Sequence, residues 1–383
     1  MRSKLFLLVS LLVEMCLGTV SAQKKLTGEE ARLEIQKQVK TFMQETREKY
    51  RSMWLEGVFR CDTLQMPILY RTFGESPAEG RSLYISMHGG GNAPKALNDQ
   101  QWKNQIYLYT PKEGVYIAPR APFDDWNMWF RPQMDQFFEM LILAAVAEFN
   151  VNPDKVYLLG YSAGGDGVWR MAPRMADRWA AASMMAGHPG EASQLNLRNL
   201  PFMIWMGELD GAYNRNTLAV QKGKVLDSLQ LADKDGYVHE THIIQGSGHW
   251  MNRVDTAAIA WMAQYRRDPY PERVVWRQEE TVRGSMYWLA VDKAEARPGM
   301  ELIASKEGNV ITVERSDYPE FVICLNDDMM DLDKPVTVKY KGKVLFRGKV
   351  KRDASVISRT LQEGGDPRLV FSAEVKIELP SGK

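Results

Sequence analysis

The stretch at 155–165 constrains this chain more than any other. Residues 155–159 read as a buried strand, Gly160-Tyr161-Ser162-Ala163-Gly164 as a tight turn, and the chain from Ala163 onward as a helix. In this G-x-S-x-G pattern the serine sits on a strained strand-to-helix corner with its hydroxyl presented outward. The flanking glycines admit backbone that a Cβ would exclude. The helix start beneath Ser162 directs free N–H groups and a positive dipole end toward any anion forming there. A plain small-residue turn can carry the same pattern, so its weight depends on what accompanies it.

A serine hydroxyl becomes a useful nucleophile only beside a base that takes its proton and a third group that orients the base. The strand at 201–206 runs into Gly207-Glu208-Leu209-Asp210-Gly211, and the strand at 240–245 into Gly246-Ser247-Gly248-His249-Trp250. Asp210 and His249 thus follow Ser162 in the order nucleophile, acid, base, each in a loop at the carboxyl end of a strand. Glu208 is a rival for the acid. His188 is the other candidate base, but it precedes the acid and breaks the order. His239 and His242 fall at a strand start and within a strand, where surface or structural roles are commoner.

A second glycine loop, His88-Gly89-Gly90-Gly91, follows directly on the apolar run 82–87. Such a loop aims backbone N–H groups at the position of a tetrahedral oxyanion. The donors are assigned to Gly90 or Gly91, together with the Ala163 N–H. The loop at 119–132 carries Trp126 and Trp129, and Trp250 adjoins the candidate base. These three tryptophans are candidates to stack on a substrate ring, with core packing an equal alternative.

The rest of the chain sets the frame. Residues 1–22 have a basic start, a short apolar run and small residues at 20–22, which predicts a secretory signal peptide cleaved after Ala22 and hence a secreted or periplasmic protein. A capping box at Thr27 and Glu30 opens an amphipathic helix within 23–57. Strands alternating with helices over 58–270 predict a parallel sheet covered on both faces. Beyond the prolines at 269 and 271, short strands with turn residues between them and no helix predict a β-sandwich over 271–383. The fold class expected is therefore α/β, with an N-terminal helix and a C-terminal β-rich accessory domain.

Net charge is +1, which argues against nucleic acid as a partner. No stretch after the first 22 residues is apolar enough to span a membrane. After cleavage only Cys61 and Cys324 remain, and with five histidines and no paired-ligand spacing no metal is expected.

With these motifs in place, residues 58–270 resemble the α/β-hydrolase superfamily of serine hydrolases. The segment Gly160-Tyr161-Ser162-Ala163-Gly164-Gly165-Asp166-Gly167 and the strand-end His-Gly-Gly-Gly look most like secreted esterases of the poly(3-hydroxybutyrate) depolymerase-like group, similar also to feruloyl and acetylxylan esterases. The resemblance implies a nucleophile at Ser162, a base at His249, an acid at Asp210, a small-molecule or polymer ester substrate, and no cofactor. Two alternatives stand beside it. One is a prolyl-oligopeptidase-like peptidase, which more typically has Tyr where Asp166 stands. The other is a non-catalytic binding protein that works through its β-sandwich.

Overall fold

The computed structural model describes residues 25–380; the predicted signal peptide lies outside them. The chain opens with α1 (Gly28–Glu56), whose capping box forms as read: the Glu30 N–H donates to Thr27 Oγ1 and the Thr27 N–H to a Glu30 carboxylate oxygen. Its buried face, Ala31, Thr46, Tyr50 and Trp54, lies against the body of the protein. Trp54 meets Phe59 and Phe149 edge-on, with centroids 5.0 and 4.9 Å apart.

The central sheet holds β1 (Val58–Cys61), β2 (Leu64–Phe73), β3 (Arg81–Met87), β4 (Gly114–Pro119), β5 (Val151–Tyr161), β6 (Ala181–Met185), β7 (Phe202–Gly207) and β8 (His239–Ile244). Their order is β1-β2-β4-β3-β5-β6-β7-β8. β1 and β2 pair antiparallel, β2 runs antiparallel to β4, and every pair from β4 to β8 is parallel. This is the mostly parallel sheet, covered on both faces, that the alternation of strands and helices predicts. The inner strands β3, β4, β5, β6 and β7 are almost wholly buried, because helices cover both faces. Those helices are α2 (Lys95–Gln105), α3 (Gln133–Phe149), α4 (Ala163–Arg174), α5 (Arg215–Ala232) and α6 (Ala257–Met262). The sequence reading missed α2: it is mostly polar, so apolar periodicity barely marks it.

The C-terminal region is β-rich, with one correction. A four-stranded sheet holds β10 (Ser285–Met286), β11 (Leu289–Ala290), β14 (Glu320–Leu325) and β17 (Ala373–Glu378). A five-stranded sheet holds β9 (Arg273–Arg277), β12 (Glu301–Glu307), β13 (Val310–Ser316), β15 (Val336–Tyr340) and β16 (Lys343–Gly348). Between β16 and β17, however, stands α7 (Ala354–Gly364), capped by the Asp353 carboxylate and closed by Gly365 in the left-handed region. It buries Ile357 and Leu361, one helical turn apart, and meets α1.

This region is joined tightly to the sheet domain. One continuous apolar core includes Trp129 and Trp169 of the first and Trp276, Trp288 and Phe321 of the second. Buried arginines sew the seam. Arg178 binds Glu139 and the Gly364 carbonyl, and Arg283 binds Glu139. Arg267 binds Asp154 and Asp366. Arg174, the last residue of α4, donates to the Phe130 carbonyl and to Thr281. The helix that begins at Ser162 is thus clamped at its far end. Cys61 and Cys324 are buried and unpaired.

Candidate active site

Ser162 joins β5 to α4 with φ 58° and ψ −121°, a backbone conformation costly for any residue with a side chain. Its surroundings hold it there. The Ser162 N–H donates to the Met185 carbonyl at the end of β6, and its own carbonyl accepts the Asp166 N–H, both at 2.9 Å. Gly164 must be glycine for a steric reason: a Cβ there would overlap the Met87 carbonyl oxygen at the end of β3.

His249 reaches Ser162 from the loop after β8, with Nε2 2.9 Å from Oγ. Its Nδ1 lies 2.7 Å from Asp210 Oδ2. Asp210 is almost fully buried, whereas the His249 ring is part-exposed. Glu208 turns elsewhere, accepting the Gly246 N–H at 2.8 Å, so Asp210 and not its rival meets the imidazole. His188 does not reach Ser162 either; its Nδ1 accepts the Gly190 N–H at 3.0 Å. His239 faces Asp227, and His242 faces Glu240 while stacking on Trp205.

Sequence reasoning passed over Tyr161, which joins the two halves of the site. Its hydroxyl donates to the His249 carbonyl at 2.7 Å and accepts the Met251 N–H at 3.1 Å. Burial pushes the phenol well above its ordinary pKa, so it stays a donor. A tyrosine beside the candidate nucleophile is the one available signal, and it is a weak one.

The His88 loop lies over the serine. A Cβ at Gly89 would stand 3.2 Å from Ser162 Cβ, and one at Gly91 3.4 Å from Ala163 Cβ. The Gly91 N–H, offered above as one of two possible oxyanion donors, is already committed to Asn98 Oδ1 at 2.8 Å. The Gly90 N–H has no acceptor among the described residues, and Ala163 at the first turn of α4 has no intrahelical acceptor to reach. Gly90 has φ +109°, and a Cβ there would overlap Asn98 Oδ1. Asn98, fully buried on α2, also donates to the Ala93 carbonyl and to Asp124. The His88 ring is buried beneath the loop: Nδ1–H donates to the Gly89 carbonyl at 2.6 Å and Nε2 accepts the Ala121 N–H at 3.2 Å. Burial drives its pKa down to about 3, so the ring is neutral.

A cleft of ≈ 440 Å³ opens beside Ser162, lined by Gly89, Gly90, Gly91, Leu97, Gln101, Asn104, His249 and Trp250 among others. Of the three candidate tryptophans, Trp250 lines it and is 48% exposed. Trp126 is 61% exposed but is not among the lining residues. Trp129 requires correction. It is fully buried, donates its indole N–H to the His88 carbonyl at 2.9 Å, and belongs to the core that supports the loop. Its burial reflects size and apolarity in a chain whose α4 and β3 both need cover. No group of three or more His, Cys, Asp or Glu that could hold a metal occurs among the described residues.

No family model matches the chain, and no curated protein does. Among solved structures, a thermostable esterase is similar over 55% of this chain and 62% of its own, at 17% identity and a TM-score of 0.42. Thermogutta terrifontis esterase 2 is similar over 54% of this chain and 89% of its own, at 17% identity and a TM-score of 0.39. A Bacillus cereus carboxylesterase is similar over 52% and 94%, at 15% identity and a TM-score of 0.38. The chain therefore spans less than two thirds of the first of these proteins.

Proposed function

We propose that the protein is an exported serine hydrolase that cleaves carboxylic esters through an acyl-enzyme. The observation that carries this reading is the unbroken relay Ser162 Oγ–His249 Nε2–Asp210 Oδ2, at 2.9 and 2.7 Å. His249 Nε2 takes the serine proton as Oγ attacks the ester carbonyl, and Asp210 steadies the imidazolium that results. The carbonyl oxygen becomes an oxyanion beside the Gly90 and Ala163 N–H groups, which cost no reorganisation because the backbone already holds them; one such donor is worth about 10²–10³ in rate. His249 then protonates the departing alcohol. A water, deprotonated by the same nitrogen, attacks the acyl-serine, and the acid is released with Ser162 restored.

The substrate class belongs to the same proposal: an acyl ester on a carbohydrate, or a polyester, with Trp250 at the cleft and Trp126 beyond it as stacking surfaces. Labelling with a fluorophosphonate probe, alongside p-nitrophenyl acetate turnover, tests the mechanism. Both signals should depend on Ser162, and Ser162→Ala should lower turnover by about 10⁴ or more with folding retained. Turnover that survives in that variant overturns the assignment. N-terminal sequencing of the exported protein tests cleavage after Ala22.

A further inference from the structure

The loop after β6, the first turn of α5 after β7 and helix α4 bring His188, Arg215 and Arg170 near Asp210 and Asp166. Arg215, in the first turn of α5, has only 14% of its side chain exposed, yet its Nε is buried without a partner. Its nearest carboxylate is Asp210, 3.8 Å away and already engaged by His249, and its guanidinium lies over the exposed Tyr213 ring at 4.9 Å. Arg170, two turns along α4, is 15% exposed and has one carboxylate partner, Glu280, at 3.4 Å. His188 accepts the Gly190 N–H at Nδ1, which leaves Nε2–H as a free donor. Its own N–H binds Asp166 Oδ1 at 2.6 Å, tying its loop to the first turn of α4. The Arg170 guanidinium packs against Gly190, where a Cβ would overlap Nη2.

These groups feel one another. After burial itself, Arg215 and then Arg170 are the main influences that lower the His188 pKa. Arg215, His249 and Arg170 all act on Asp166. A largely buried guanidinium ordinarily has its donors filled, and here the buried Arg215 Nε is not. A carboxylate is moreover already present at the edge of the cluster: Glu280, 69% exposed, stands against Arg170. Asp210 and Asp166 are committed to His249 and to the His188 N–H. Glu191 influences His188 and Glu279 feels Arg170, without an ion pair to either among the described residues. Glu280 is therefore the contacting carboxylate that a substrate would replace.

The geometry points to Arg215, Arg170 and His188 as an anion subsite that recognises a carboxylate on the ester substrate, in place of Glu280. The inference rests on the ester-hydrolase reading for its substrate, though not for the anion site itself. It narrows the substrate class to esters of acidic molecules, with the charge on either the acyl or the alcohol part.

Two matched ester pairs test it: p-nitrophenyl hydrogen glutarate against p-nitrophenyl pentanoate, and m-acetoxybenzoate against m-acetoxybenzamide. The ratio of kcat/KM for anionic over neutral ester should exceed unity in at least one pair, and the pair that responds locates the charge. Arg215→Gln and Arg170→Gln should each lower that ratio by about tenfold, the worth of a charge-assisted hydrogen bond. Glu280→Gln should raise it. A purely structural role for Arg215, steadying Asp210, would depress both esters alike and leave the ratio unmoved. If Arg215→Gln does not fold, Arg170→Gln and Arg215→Lys carry the comparison.

Titration of glutarate into the Ser162→Ala protein separates the two readings. Binding that weakens about tenfold in the added Arg170→Gln variant supports the subsite even where no ester is turned over, in which case the hydrolase reading fails alone. Turnover of both esters at equal rates, or a ratio unchanged by either arginine variant, overturns the subsite and leaves the hydrolase intact.

Discussion

The two halves of the site are built in opposite ways. On the nucleophile side, the ends of β3, β5 and β6 press together so closely that side chains are excluded: a methyl at Gly164 would overlap the Met87 carbonyl, and one at Gly90 the Asn98 amide. On the acid–base side, the loops after β7 and β8 are open. A Cβ at Gly211 or Gly248 would meet nothing within 4 Å, and Leu209, Tyr213 and Trp250 are exposed. One half holds its geometry chiefly by packing. The other touches closely at Gly207, where a Cβ would overlap the Gly248 carbonyl. Beyond that point it is held by backbone hydrogen bonds and by those among Asp210, His249 and Tyr161. In the proposed mechanism, shape complementarity fixes the donors that must not move as charge develops. Hydrogen bonds suffice for a ring that, in that mechanism, changes partners twice in a cycle.

The largest effect should come from the acid–base side through chemistry alone. Asp210→Asn should leave the fold intact while lowering ester turnover by about 10⁴, because the amide cannot hold the imidazole in the required tautomer or stabilise its charge. Glu208→Gln should cost far less. Steady-state kinetics beside circular dichroism checks both, and equal losses in the two variants would mean that the Asp210–His249 contact is not the working one.

The nucleophile side should fail through structure instead. Gly164→Ala forces a methyl against the Met87 carbonyl in a place where neither β3 nor α4 can retreat, since the far end of α4 is held at Phe130 and Thr281. A loss of about 3 kcal/mol or more is expected from overpacking of this kind, read as a shift of the urea midpoint with an unchanged slope. A neutral result would mean that the elbow is softer than its contacts suggest.

The same packed half carries a pH dependence. His88 has a folded-state pKa of about 3, below the ordinary histidine value near 6.5. Between those values the unfolded chain binds a proton that the folded protein refuses. Stability should therefore be lost as pH falls from about 6.5 toward 3, with a slope of up to about 1.4 kcal/mol per pH unit from this group. His88→Gln should flatten that part of the profile of unfolding midpoint against pH. Parallel profiles for the two proteins would place the ring's titration elsewhere.

The contrast also explains what was legible in the sequence. The order Ser162, Asp210, His249 and their strand-end loops could be read because an apolar run followed by glycine and a polar residue is a local pattern. Which of Asp210 and Glu208 contacts His249 then needed only the fold. What failed was whatever depends on distant neighbours. Trp129 and Trp126 are three residues apart in one loop, yet one is core and the other exposed, because only Trp129 lies where α4 and the His88 loop need filling. Arg215 and Arg170 look like surface charges of two helices until the topology brings them beside Asp166. α7 is a different kind of miss: Asp353, the Ile357–Leu361 spacing and Gly365 are helix signals within local reach, and the surrounding run of strands obscured them.

The smallest expected effect bears most directly on the openness of the acid loop. Gly211 follows Asp210 with φ −78° and ψ −8°, a conformation any residue adopts, and no atom stands within 4 Å of where its Cβ would be. Gly211→Ala removes freedom from the unfolded chain and adds no clash to the folded one, so it should raise stability by about 0.4–1 kcal/mol. Ester turnover should stay within about twofold, because Asp210 keeps its own backbone hydrogen bonds to Gly207 and Asn216. Denaturant titration and kinetics on one preparation decide it. A loss in either would mean that the acid loop is held by contacts its open surroundings do not reveal, and the two halves of the site would then differ in degree only.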